Sequence, residues 1–278
     1  MPFGKLAHKA LGAIEPLAAQ AFFVKEVMVE FESIGLNMFE GYFTARAAPM
    51  GAVDPAVVDA TFFTFNPKVV RRSLRFDIVT PAQAIAARQR GAGAALRRLL
   101  GEQDLGELIA MLQEAVEAAP IAGRALFAGH RAQPWPDDPY EAVWHGANCL
   151  REFRGDGHVA LLIAHGLVGL EAQVLHAGLL KIATPTESFL VRGHGWKPED
   201  YEAAAARLAE RGLADADGAA NDAGIKLRGM IERETDRLSE APLRALGEER
   251  ATRMIEQLAA LSRQVLEEPA LPALNAKP

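Results

Sequence analysis

Apolar residues recur at three- and four-residue intervals along most of the chain, and alternating Val/Ile/Thr-rich runs are almost absent. That period belongs to amphipathic helices. The stripe Leu17, Ala21, Val24, Met28 and Phe31 begins just after Pro16 and predicts a helix opening there, since a first-turn proline sacrifices no hydrogen bond. Residues 37–48 predict another, halted by Pro49. Asp54-Pro55, Asn66-Pro67 and Thr80-Pro81 each put a capping side chain before a first-turn proline. They predict helices through Phe63, over 69–75 and on to Leu100. Residues 105–119 continue the pattern, the proline-rich 134–139 makes a turn, and 140–153 is helical again.

Arg154-Gly155-Asp156-Gly157 reads as a break, with Asp156 capping a following helix over 158–165. A tight turn at Gly166 and Gly169, a helix to Leu179 and one from Pro198 to Arg211 with Gly212 just past its end come next. Asp217-Gly218 has the two-residue hairpin signature. Helices over 223–238 and 248–266 complete the pattern, the last with Met254, Leu258, Leu261 and Val265 at 4-3-4 spacing. The expected fold is all-α with a small β-wing. Its organisation is an N-terminal helical domain (1–154), a winged helix-turn-helix (155–240) and a C-terminal helix and tail (241–278). The apolar run 159–180 is interrupted by His165, Gly166, Gly169, Glu171, Gln173 and His176, so it predicts buried core and not a membrane span. No secretory signal is legible at the start of the chain, and the expected location is cytoplasmic.

Composition narrows the chemistry. The chain has 278 residues, a net charge of −6 and one cysteine, which excludes an internal disulfide framework and a cysteine-based zinc cluster. The −6 divides unevenly. Residues 68–98 carry eight cations and one anion, leaving −13 for the remainder. Lys68, Arg71, Arg72 and Arg75 share a helix face, for which pairing with acidic helices is the favoured reading over a nucleic-acid surface.

The stretch "AAARLAERGLADADGAANDAGIKLRGMIERETDRL", with its Arg211-Gly212-Leu213 corner and Asn221-Asp222-Ala223-Gly224 wing exit, resembles MarR-type regulators from the recognition helix through the wing into a dimerisation helix. "GYFTARAAPMG", "TFFTFNPKVV", "LREFRGDGHVALL" and "GLVGLEAQVLHA" together resemble a SalK-like actinobacterial helix-turn-helix family, a label that implies a fold more than an activity. The MarR resemblance implies a homodimer, as does the stripe of the last helix. It also makes DNA binding the point to examine. A recognition helix needs donors for phosphates and base edges. Here it opens Pro198-Glu199-Asp200-Tyr201-Glu202, and residues 197–224 hold three cations against seven anions. This argues against DNA as a partner, since phosphate neutralisation supplies the affinity.

Candidate ligand-site residues stand out as polar groups in apolar company. Arg46, flanked by alanines with Tyr42 one turn earlier, needs a carboxylate or a bound anion as partner. Asn66 lies among Phe62, Phe63 and Phe65, where a helix cap is the plainer role. Arg154, Asp156 and His158 cluster at the domain junction, with His158 and Asp156 as candidates for proton transfer. Glu171 and His176 add possible ligand contacts. No metal site is assigned: His158 and His165 share a face, but core histidines are the commoner outcome, and no attachment motif supports haem. Gly91-Ala92-Gly93 lacks the preceding strand of a nucleotide site, and there is no nucleophile elbow. No cofactor is identified. The sequence therefore points to a protein, or enzyme, that binds a small molecule with an anionic group in a pocket between the helical half and a winged helix that has lost DNA binding. The alternatives are a MarR-type ligand-responsive transcription regulator and, behind it, a structural partner subunit.

Overall fold

The computed structural model describes residues 3–179, 193–215 and 218–268. Among them are thirteen α-helices and two short 3-10 turns: α1 Phe3–Ala19, α2 Lys25–Ser33, α3 Met38–Ala47, α4 Pro55–Phe62, α5 Pro67–Ser73, α6 Pro81–Leu100, α7 Gly106–Ala118, α8 Ala125–Arg131, α9 Pro139–Ala164, α10 Gly169–Leu179, α11 Pro198–Glu210, α12 Asp222–Leu238 and α13 Ala241–Leu266. The chain forms two compact units. The first takes the described parts of 1–53, 73–157 and 236–277, and the second takes 54–72 and 158–235.

The cap signals operate as physics requires. Asn37 caps α3 and Thr80 caps α6, each in a reciprocal box with the side chain three residues on, Glu40 and Gln83; such boxes satisfy otherwise orphaned first-turn N–H groups. Asp54 accepts from Ala56 N–H at the start of α4. In the first unit α1 and α7 pack on α13, and α2 and α3 on α6. Gly91 permits the α2 contact: a Cβ there would sit 2.6 Å from the Val27 backbone. In the second unit α10 packs on α11 around Leu162, Leu170, Leu175, Tyr201, Leu208 and Ile231.

Three expectations are corrected. Pro16 does not open a helix; it lies inside α1, and the stripe beyond it divides at the 3-10 turn Gln20–Phe22. The N-terminal residues carry their own apolar face, Leu6, Ala10, Ala13 and Leu17, whose burial holds the helix together across one lost hydrogen bond near its end. Second, α9 runs unbroken through residues 154–157. Gly157 is there for space, since a Cβ would come within 2.7 Å of the Arg124 guanidinium, which donates to the carbonyls of Phe153 and Leu238. Third, the expected two-strand wing is absent among the described residues. A single antiparallel bridge, Ala214 to Ala220, stands in its place, alanine having no side chain to build cross-strand packing. The tip residues 216 and 217 of the hairpin signal lie outside the described residues. Gly247, at φ 74°, kinks α13 one residue before the predicted start of the last helix. No single helix among the described residues is long and apolar enough to cross a membrane.

Candidate functional site

The first unit holds a charged centre inside its apolar core. On α9, Trp144, Asn148 and Glu152 recur every fourth residue and so share a face. Arg46 reaches Glu152 from α3 through a two-pronged contact, Nε to Oε1 at 3.1 Å and Nη2 to Oε2 at 3.0 Å, while its Nη1 donates to the Tyr42 hydroxyl at 3.3 Å. Arg151 donates Nη1 to the same carboxylate at 3.2 Å and grips Glu15 of α1 with Nε and Nη2. Glu152 is 1% exposed. Burial alone would raise its pKa, but the fields of Arg46 and Arg151 hold it well below the usual carboxylate range.

Arg88 of α6 is different. It is 2% exposed, and its Nη2 makes one long contact with Asn148 Oδ1 at 3.5 Å. Its Nη1 is buried with no partner in the protein. The guanidinium carbon lies 5.3 Å from the Phe22 ring centre and 5.0 Å from that of Trp144, within cation–π range. Burial pulls the Arg88 pKa down to about 10, opposed by the field of Glu152, so the group is charged at neutral pH. Asn148 Nδ2 in turn donates to His130 Nδ1 at 3.2 Å. Burial pushes His130 down to about 3 and His145 down to about 4, so both imidazoles are neutral. The centre thus contains three guanidiniums and two carboxylates, a surplus of one positive charge. Phe22 sits over it: the half-buried ring also meets Arg151 at 5.4 Å and Tyr42 at a centroid distance of 4.9 Å.

Cys149, fully buried with its Sγ 3.6 Å from His145 Nε2, has its thiol pushed up by burial and is no nucleophile. Arg46 and Tyr42, singled out in the sequence, are brought together here, and the partner Arg46 required is Glu152. Arg154 pairs with Asp236 at 3.1 Å. Asp156 does not cap its own helix. Its carboxylate accepts from Phe127 N–H at 2.9 Å, near the start of α8, and burial raises its pKa to about 6.

The remaining candidates belong to the second unit. His158 bonds through Nδ1 to Thr235 Oγ1 at 3.0 Å, with Glu232 at 4.0 Å. Asp156 and His158, two residues apart on one helix, point to different sides of it. Asn66 caps α5 through Lys68 N–H and donates to Gly195 O. His176 is solvent-exposed. Glu171 is buried and is met by Arg207 at 2.8 Å and Arg211 at 3.0 Å. The described residues contain no group of three or more His, Cys, Asp or Glu placed to hold a metal ion.

Five of the eight cations in the +7 segment are paired with carboxylates. Arg71 meets Asp59, Arg75 meets Glu40 and Asp77, Arg90 meets Glu30, Arg97 meets Asp138, and Arg98 meets Glu26 and Glu268. Only Arg88 of this set turns inward. A signal for it exists in the sequence, because Ala84, Ala87, Arg88, Gly91, Ala92 and Ala95 form one small-residue face, and a cation on such a face is destined for the interior. Gln20, His130, Asn148, Arg151 and Glu152 carry no comparable signal.

Residues 7–272 match the model of a helix-turn-helix family, and the chain belongs to that family. Neither a curated protein nor a solved structure matches it.

Proposed function

We propose that the protein binds a small anionic molecule at the buried arginine centre of its first unit, and that its helix-turn-helix has lost DNA binding. The observation that carries the first part is the unpartnered Nη1 of a guanidinium that is 2% exposed. A buried charge without a counter-charge is costly, and the surplus of one cation matches a monoanion. Arg46, Tyr42 and Glu152 then act as the frame that holds Asn148 and Arg88 in register, and Phe22 and Trp144 supply apolar walls. The test is thermal stabilisation by acetate, propionate and benzoate against chloride at matched ionic strength. Stabilisation in the wild type that disappears in Arg88→Met supports the reading. A wild type indifferent to all three carboxylates sinks it.

The second reading, a ligand-responsive transcription regulator, is favoured by the family's helix-turn-helix label. Against it, two of the three cations of the recognition-helix region, Arg207 and Arg211, are drawn to Glu171, and the first turn of α11 carries Glu199 and Asp200. Few donors remain for phosphates. A mobility shift at low salt decides this point: no complex at micromolar protein is the expected result, and a discrete, salt-sensitive complex would restore the regulator.

A further inference from the structure

A second orphan group specifies the ligand further, an inference that rests on the anion reading above. Gln20 is fully buried in the 3-10 turn two residues before Phe22. Its Nε2 donates to the carbonyl of Ala92 at 3.2 Å, one helical turn along α6 from Arg88. That carbonyl fixes the amide orientation, because a flipped amide would set two acceptors against each other. Gln20 Oε1 is therefore an acceptor, and it is buried with no partner in the protein. The neighbourhood of Phe22 thus presents one unmatched donor, Arg88 Nη1, and one unmatched acceptor, Gln20 Oε1.

We infer that the ligand is a small hydroxycarboxylate, its carboxylate meeting Arg88 and its hydroxyl donating to Gln20. Charge balance selects within the class of small acids. A monocarboxylate brings the centre to neutrality. A zwitterionic amino acid leaves the surplus in place, and a dianionic phosphate overshoots it with no further cation to compensate. His130 and His145, held neutral by burial, add no charge that would alter this count. Phe22, the half-buried ring over both Arg88 and Arg151, is the side chain whose rotation admits the molecule.

The experiment is calorimetric titration of the full chain with two matched pairs, glycolate against acetate and lactate against propionate. The hydroxy acid of each pair binds about tenfold more tightly, the worth of one well-made hydrogen bond. Gln20→Met lowers the hydroxy acid to the level of its partner and leaves that partner unchanged. Arg88→Met abolishes binding of all four, and Arg88→Lys, which keeps the charge, retains weakened binding and controls for folding. Equal affinities within each pair in the wild type would overturn the hydroxyl assignment while leaving the anion site standing. Absence of binding by any of the four would overturn both, making the two orphan groups partners of trapped water.

Discussion

The two units each bury a carboxylate beneath arginines, with different outcomes. In the second unit, Glu171 is closed by Arg207 and Arg211, whose side chains are 47% and 36% exposed. Those cations keep part of their hydration, and the cluster serves to fasten α11 to α10. In the first unit, Glu152 is clasped by Arg46 and Arg151, while a third arginine is buried beside them without a carboxylate of its own. A carboxylate ringed by half-exposed cations is a structural clamp. A buried cation in excess of its carboxylates leaves a demand that the fold itself does not meet, and the candidate site lies there.

Breaking the first cluster gives the largest expected effect. Glu152→Gln takes from Arg46 the buried carboxylate it clasps, while Arg151 keeps Glu15, and lowers stability by about 3–5 kcal/mol, read from urea unfolding. A loss under 1 kcal/mol would mean that the centre is hydrated and the comparison false. Glu171→Gln releases two arginines that can turn to water, so the expected loss is only about 1 kcal/mol. A loss as large as that of Glu152→Gln would erase the distinction between the units.

The remaining test is a pH profile. Burial raises Asp156 to about 6 from an ordinary value of 3.8. The folded state therefore binds this proton more tightly than the unfolded chain does. The stabilising contribution is complete below pH 3.8 and is lost as pH rises through about 6. Asp156→Asn keeps an acceptor for Phe127 N–H and removes the titration. The variant and the wild type have similar stability near pH 4, and the variant gains by on the order of 1–3 kcal/mol toward pH 7. Parallel profiles across that window would show that Asp156 is hydrated in the folded protein.

Local chemistry was legible in the sequence and distant pairing was not. Asp54, Asn66 and Thr80 announce their helices because a cap acts over three residues. Arg46 announces a need, since a guanidinium among alanines must be answered. The answer, Glu152, lies 106 residues away, and no local pattern points to it. The misreadings have the same origin. Gly155 and Gly157 look like a helix break because glycine's local preference is the visible signal, yet Gly157 answers to Arg124, a side chain from another part of the chain. Arg88 looks like one member of a basic surface until the small-residue face of α6 is considered. The wing signal at Asp217-Gly218 expects strands that the flanking alanines do not support.

The lone cysteine has a practical consequence. Cys149 stands at the middle of α9, fully buried, one residue from Asn148 and three from Glu152, and its thiol resists ionisation. The chain has no other thiol. A thiol-reactive dye therefore has a single target, and it can react only while the helices around the arginine centre are parted. The labelling rate is a clock for the opening of this core alone, read without any engineered probe, and any small molecule that occupies the centre will slow it.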